Sequence, residues 1–94
     1  MELSPFNIKI LGYTWKVDTT KKRHEIGAFG RAVGEEQLIL IGADMVEEQQ
    51  KSTLLHEVIE ASSMLLGLEL NEKQIQGLEV ALFPLMEVKR EIDN

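Results

Sequence analysis

Hydrophobic and polar positions alternate along the first part of the chain with the two-residue period of a β-strand. Residues 6–11 alternate, Gly12 interrupts the pattern, and residues 13–18 resume it with aromatic and β-branched side chains. We expect these two segments to form a hairpin that turns at this glycine and the leucine before it. Residues 28–33 form a weaker strand candidate, and the apolar run at residues 37–41 is typical of a central strand.

From residue 44 onward the apolar residues recur at intervals of three and four, which is the period of an amphipathic helix. Asp44 is positioned as an N-cap, and Glu47 follows three residues later to complete a capping box. Gly67 is expected to end the helix, because glycine readily adopts the left-handed conformation of a C-terminal cap. The first helix is therefore predicted over about residues 44–66. Its main apolar stripe, expected to face the sheet, consists of Leu54, Val58, Ala61 and Leu65.

A second helix is predicted over about residues 71–86. Asn71 opens it, with Gln74 as the capping-box partner, and Pro84 is expected to loosen its last turns before a charged tail. Strands followed by two helices predict an α+β fold: a small, mostly antiparallel sheet of three to four strands packed against a helical pair. We expect one domain over residues 1–94, with all strands within about residues 6–41.

The composition is that of a globular protein with an acidic surface. Ten basic and sixteen acidic residues give a net charge of −6, which argues against nucleic-acid binding because a phosphate backbone requires a basic face. The short basic run at residues 21–24 lies in a polar segment, residues 19–25, that is expected to be a loop with His24 at the surface. No apolar run approaches the ~20 residues that cross a bilayer, and residues 1–5 lack the pattern of a secretory signal. We therefore expect a cytoplasmic protein without membrane contact.

The strongest candidates for chemistry are His56, Glu57 and Glu60, in the sequence Leu-Leu-His-Glu-Val-Ile-Glu-Ala. On a helix His56 and Glu60 lie one turn apart on the same side, with Glu57 beside them. This spacing places two metal ligands and a general base on one element, as in metal-dependent hydrolases. The chain has no cysteine, so imidazole and carboxylate groups must hold any metal ion. The competing interpretation is a histidine that is only hydrogen-bonded or solvated.

A third ligand is expected from the second helix, which is the natural partner for the side of the first helix that carries His56. Glu79 falls among the apolar residues of that helix, where a carboxylate is unfavourable unless it is paired or metal-bound. Glu79 is therefore the favoured ligand, although pairing with a Lys or Arg is also open. Glu72 is the alternative ligand, although it is expected to act mainly as a first-turn acid that interacts with the helix dipole. Gln76 is a poor metal ligand and is expected to face solvent.

The order of short strands, His-Glu helix and second helix resembles the minimal zincin-like proteins common in bacteriophages and prophages. In outline it is also similar to the ImmA/IrrE-type metallopeptidases. The likeness spans roughly residues 30–86, and its specific part is the segment at residues 53–61. It implies a Zn²⁺ ion held by His56 and the residue at position 60, with Glu57 as the base that takes a proton from water. It also implies peptidase activity on a peptide or protein substrate. The family has a second histidine at the position of Glu60.

A carboxylate in place of imidazole at Glu60 makes the site harder and more anionic, so Mn²⁺ becomes a competitor of Zn²⁺. Two functions stay open. One is a metal-dependent hydrolase, although a chain of this length leaves little surface for a substrate cleft. The other is a catalytically inactive zincin scaffold that binds a host or phage protein through its acidic surface. The helix–turn–helix outline of residues 52–83 suggests DNA binding as a third hypothesis, which is the weakest because the second helix is acidic. A homodimer through a sheet edge is compatible with the predicted strands.

Overall fold

The computed structural model describes the backbone of residues 3–93 and the side chains of residues 3–86. Over these residues the architecture is α+β, as predicted: a four-stranded, mostly antiparallel sheet and two long helices. The strands are β1 (Phe6–Ile10), β2 (Tyr13–Asp18), β3 (Gly30–Val33) and β4 (Leu38–Ile41). The helices are α1 (Arg23–Ile26), α2 (Glu47–Leu66) and α3 (Glu72–Asp93), and a 3₁₀ turn at Gly34–Glu36 links β3 to β4.

The strands lie in the order β1-β2-β4-β3. β1 pairs antiparallel with β2, β3 pairs antiparallel with β4, and the middle pair, β2 and β4, is parallel. β4 is thus a central strand, as its continuous apolar run predicts. β1 and β3 form the two edges of the sheet, and the position of β3 at an edge becomes important for the candidate site.

The turn between β1 and β2 confirms the predicted hairpin. Leu11 and Gly12 both have positive φ, of 50° and 88°. Two consecutive residues of this kind are typical of the tight two-residue turns whose twist matches that of the flanking strands.

The hydrophobic core lies between one face of the sheet and α2. β2 and β4 supply its largest buried side chains, among them Trp15 and Ile39. Ala61 of α2 belongs to the same cluster, and Leu54 and Val58 pack against it, as their spacing predicts. Trp15 is the single tryptophan of the chain and is 1% exposed, so its fluorescence reports directly on the integrity of this core.

Two local predictions are wrong at the entrance to α2. The segment at residues 19–25 contains the short helix α1 rather than only a loop, and Asp44 is not the N-cap of α2. Asp44 instead accepts hydrogen bonds from the backbone N–H and the Nε–H of Arg23, at 2.9 Å and 3.2 Å. These hydrogen bonds hold the pKa of the Asp44 carboxyl below its usual range. Its carboxylate therefore ties α1 to the segment before α2, and Val46 occupies the N-cap position.

The buried side of α2 also differs from the prediction. Leu65 is 37% exposed, whereas the polar residues Thr53 and Glu57 are buried. The physical reason is the close approach of α2 to β3 at Gly30. A Cβ atom there would lie 2.6 Å from Thr53 Cγ2 and 3.2 Å from Glu57 Cγ. Because Gly30 has no side chain, a polar part of the helix is buried against the edge of the sheet.

The ends of both long helices mostly follow the sequence pattern. Gly67 caps α2 with a φ of 68°, as predicted. The capping box of α3 is also confirmed: the Asn71 backbone N–H donates to Gln74 Oε1, and the Gln74 backbone N–H donates to Asn71 Oδ1. α3 continues to Asp93 rather than ending near residue 86, and Pro84 lies inside it. Among the described residues, none of the helices combines the length and the apolar character needed to cross a bilayer.

Candidate metal site

The candidate site lies where α2 packs against α3, beside the edge strand β3. A cleft with a volume of about 960 Å³ opens there. The expectation that so short a chain leaves little surface for a cleft is therefore wrong. One wall is formed by residues 28–35, and the rest by side chains of the two helices that include His56, Glu57, Glu60, Glu72, Gln76 and Glu79.

Three side chains of α2 converge in this cleft. His56, Glu57 and Glu60 each offer one potential ligand atom, and these atoms all lie within 4.8 Å of one another. His56 Nε2 is 4.0 Å from Glu60 Oε2, as their spacing of one helical turn predicts. The structure thus brings together the three residues that the sequence singles out on this helix.

The two ring nitrogens of His56 face different acids of α3. Nδ1 lies 2.9 Å from Glu79 Oε1, whereas Nε2 lies 3.5 Å from Glu72 Oε2. Because an ionised carboxylate can only accept a hydrogen bond, a neutral ring that donates to Glu79 carries its hydrogen on Nδ1. The lone pair of a neutral ring then belongs to Nε2, which is the nitrogen that faces Glu60 and Glu72.

Glu57 has the most unusual electrostatic environment of the site. It is 5% exposed and lies against Gly30 of β3. Burial raises the pKa of its carboxyl to about 7, and the negative charge of Glu60 adds to the shift, while His56 opposes it. Glu57 therefore exchanges its proton close to neutral pH, which is the behaviour required of a general base.

Two residues of the site are absent from the sequence-based prediction. Ser52 donates a hydrogen bond from Oγ to Glu79 Oε2 at 2.9 Å, and Gly30 gives Glu57 its place against β3. A signal for Ser52 exists in its spacing, since it precedes His56 by one helical turn. No comparable local signal marks Gly30, because its neighbours come from distant parts of the chain. His24 and Gln76 are exposed, as expected.

No protein-family model, curated protein sequence or solved structure matches this chain significantly.

Proposed function

We propose that the chain is a small metal-dependent hydrolase of the zincin-like type, in which His56, Glu60 and Glu72 hold the metal ion and Glu57 is the general base. The observation that carries this proposal is the convergence of potential ligand atoms of His56, Glu57 and Glu60 within 4.8 Å of one another on α2. Glu72 contributes a further carboxylate oxygen near the same nitrogen of His56, and its side chain is 74% exposed, which leaves it room to adjust to a ligand.

The donor set suits a divalent cation. Imidazole nitrogen and carboxylate oxygen are accepted by both Zn²⁺ and Mn²⁺. In the absence of a cation the acids repel one another, and the charges of Glu60 and Glu72 both raise the pKa of Glu57. A cation would relieve this repulsion. Three protein ligands would also leave a position open for substrate, as in catalytic zinc sites.

A divalent ion bound here would supply a Lewis acid that polarises a substrate carbonyl. Glu57 would take a proton from the attacking water and pass it to the leaving group. Burial raises the pKa of Glu57 to about 7 in the metal-free site, and a neighbouring cation would favour its ionised, proton-accepting form. Packing against β3 holds the side chain of Glu57 in one place while it still lines the cleft.

An extended peptide is the substrate class that the cleft favours. Its wall at residues 28–35 includes β3, which is an edge strand of the sheet. The outer backbone groups of such a strand can pair with an extended chain through main-chain hydrogen bonds. We therefore propose peptide or protein hydrolysis as the reaction.

This assignment changes the role of Glu79, which the sequence-based prediction favours as the third ligand. Glu79 Oε1 lies 2.9 Å from Nδ1 of His56. We therefore propose that the metal ion binds Nε2 of the ring and that Glu72 is the third ligand. The relationship to zincin-like proteins of phages and prophages rests on the segment at residues 53–61 and stays a prediction.

A catalytically inactive scaffold that binds a partner protein is the second candidate. The observation in its favour is that His56 lies within 4.0 Å of carboxylate oxygens of Glu60, Glu72 and Glu79. An imidazolium ion could satisfy these acids without any metal. The two candidates differ in one measurable property, the metal content of the protein.

The proposal is tested by metal analysis of protein purified without chelator. We expect about one equivalent of zinc or manganese in the wild type and loss of the metal in His56→Ala. His24→Ala is the matched control, because the second histidine of the chain is exposed on α1 and should leave the metal content unchanged. Metal-free wild type whose thermal midpoint does not respond to added zinc would favour the scaffold.

Catalysis is tested separately with Glu57→Gln, which replaces the base by a neutral side chain of nearly the same shape. We expect this variant to keep its metal and to lose peptide cleavage by a factor of about 10²–10⁴, the usual contribution of a general base. Cleavage at the wild-type rate in this variant would exclude Glu57 as the base.

A further inference from the structure

Ser52 lies one turn before His56 on α2, and Glu79 of α3 bridges the two residues. Ser52 Oγ donates to Glu79 Oε2 at 2.9 Å, and Glu79 Oε1 lies 2.9 Å from His56 Nδ1. The side chains of His56 and Glu79 are only 19% and 20% exposed, so water competes weakly for these hydrogen bonds. The three side chains form one continuous chain of hydrogen bonds that ends at the imidazole ring.

We propose that Ser52 is a positioning residue that, through Glu79, fixes the orientation and the tautomer of His56. This inference rests on the proposed function, in which Nε2 of the same ring binds a metal ion. A carboxylate with a hydrogen bond at each oxygen is held in one orientation more firmly than a carboxylate with a single partner. The hydrogen bond from Ser52 engages Oε2, which leaves Oε1 to accept from the Nδ1–H group.

The consequence for the ring is chemical as well as geometric. A neutral imidazole carries one hydrogen, so a hydrogen held on Nδ1 leaves the lone pair on Nε2. Nε2 is the nitrogen that faces Glu60 and Glu72. Partners of this kind behind a metal-binding histidine typically change metal affinity by about 10- to 100-fold. Ser52 is therefore expected to influence the affinity for a metal ion that it does not bind.

The first test is zinc affinity, measured by titration calorimetry on the full chain. Ser52→Ala should weaken binding by about tenfold, at the lower end of the range for such partners, and Glu79→Ala by about 10- to 100-fold. Ser52→Thr keeps a hydroxyl group and should restore affinity close to that of the wild type. Ser62→Ala is the matched control on the same helix, because Ser62 Oγ donates to the Val58 carbonyl and not to the site.

The second test reads the tautomer of His56 directly, by ¹⁵N NMR of the ring at a pH where it is neutral. The hydrogen should reside on Nδ1 in metal-free wild type and in Ser62→Ala, and it should shift toward Nε2 in Ser52→Ala. A role confined to holding α2 against α3 would lower thermal stability without moving either readout.

The results separate this inference from the proposed function. Wild type that binds no zinc contradicts the metal site, whereas the tautomer measurement still decides the role of Ser52. Zinc binding and a tautomer that are both unchanged in Ser52→Ala would overturn the inference and leave the metal site standing.

Discussion

Glu57 combines burial, a shifted pKa and a position on the wall of the cleft. The residue is 5% exposed, and burial is the main reason that the pKa of its carboxyl rises to about 7. Such a group destabilises the metal-free protein whenever it is ionised, because burial and the nearby charge of Glu60 disfavour its charged form. A stability measurement therefore reports on this residue without any knowledge of the substrate.

The free energy of unfolding of the metal-free wild type is expected to fall as the pH rises from about 5 to 8. The unfolded carboxyl ionises near pH 4.5, whereas the folded one keeps its proton until about pH 7, so the folded state binds more protons over this interval. The full effect is on the order of 3 kcal/mol. Urea unfolding of chelator-treated protein, followed by Trp15 fluorescence, measures it at each pH.

Glu57→Gln supplies the comparison for this experiment, because its amide does not titrate. The variant should lose most of the decline and should be more stable than the wild type at pH 8. Identical pH profiles of wild type and variant would show that Glu57 is not the buried, proton-holding group described above.

The packing of α2 on β3 depends on one glycine. A Cβ at Gly30 would lie 3.0 Å from the Leu40 carbonyl oxygen as well as close to Thr53 and Glu57, so the helix or the strand must shift to accommodate it. We expect Gly30→Ala to destabilise the fold by about 1–3 kcal/mol, as overpacking of a dense interior usually does. It should also weaken zinc binding, because the added methyl group would displace Glu57 and the part of α2 that carries the proposed ligands.

Gly34→Ala is the control for this prediction, measured by the same urea unfolding. The nearest atom to a Cβ at Gly34 is Met64 Sδ at 3.7 Å, which is an ordinary contact, so its effect should stay within about 0.5 kcal/mol. Equal effects of the two substitutions would mean that α2 and β3 do not meet as closely as the structure has them.

The elements that the sequence predicts correctly are those with local causes. The hairpin follows from an alternating pattern with a glycine between its halves, and the α3 capping box from Asn71 and Gln74. Asp44 is misjudged because its partner, Arg23, lies 21 residues away, and no local pattern reveals such a contact. In the same way, helical spacing places His56 and Glu60 side by side, but it does not determine which acid of α3 contacts which ring nitrogen of His56. That depends on how the two helices are rotated against each other.

In the molecule as a whole, the proposed metal ion joins its two long helices. α3 packs mainly against α2, and the proposed ligands come from both. A metal ion held between them would add its binding energy to the stability of the fold. The acidic residues of the cleft also account for part of the net charge of −6. The predicted homodimer through a sheet edge stays a prediction, with β1 and β3 as the available edges.

A crystal structure of zinc-loaded protein, with anomalous data collected at the zinc edge, shows directly whether a metal ion binds between the two helices. We predict one strong peak between α2 and α3, about 2.0–2.2 Å from His56 Nε2 and from carboxylate oxygens of Glu60 and Glu72. Glu79 should remain hydrogen-bonded to Nδ1. A map without a peak at this position, in which His56 alone bridges Glu72 and Glu79, would contradict the proposed metal site.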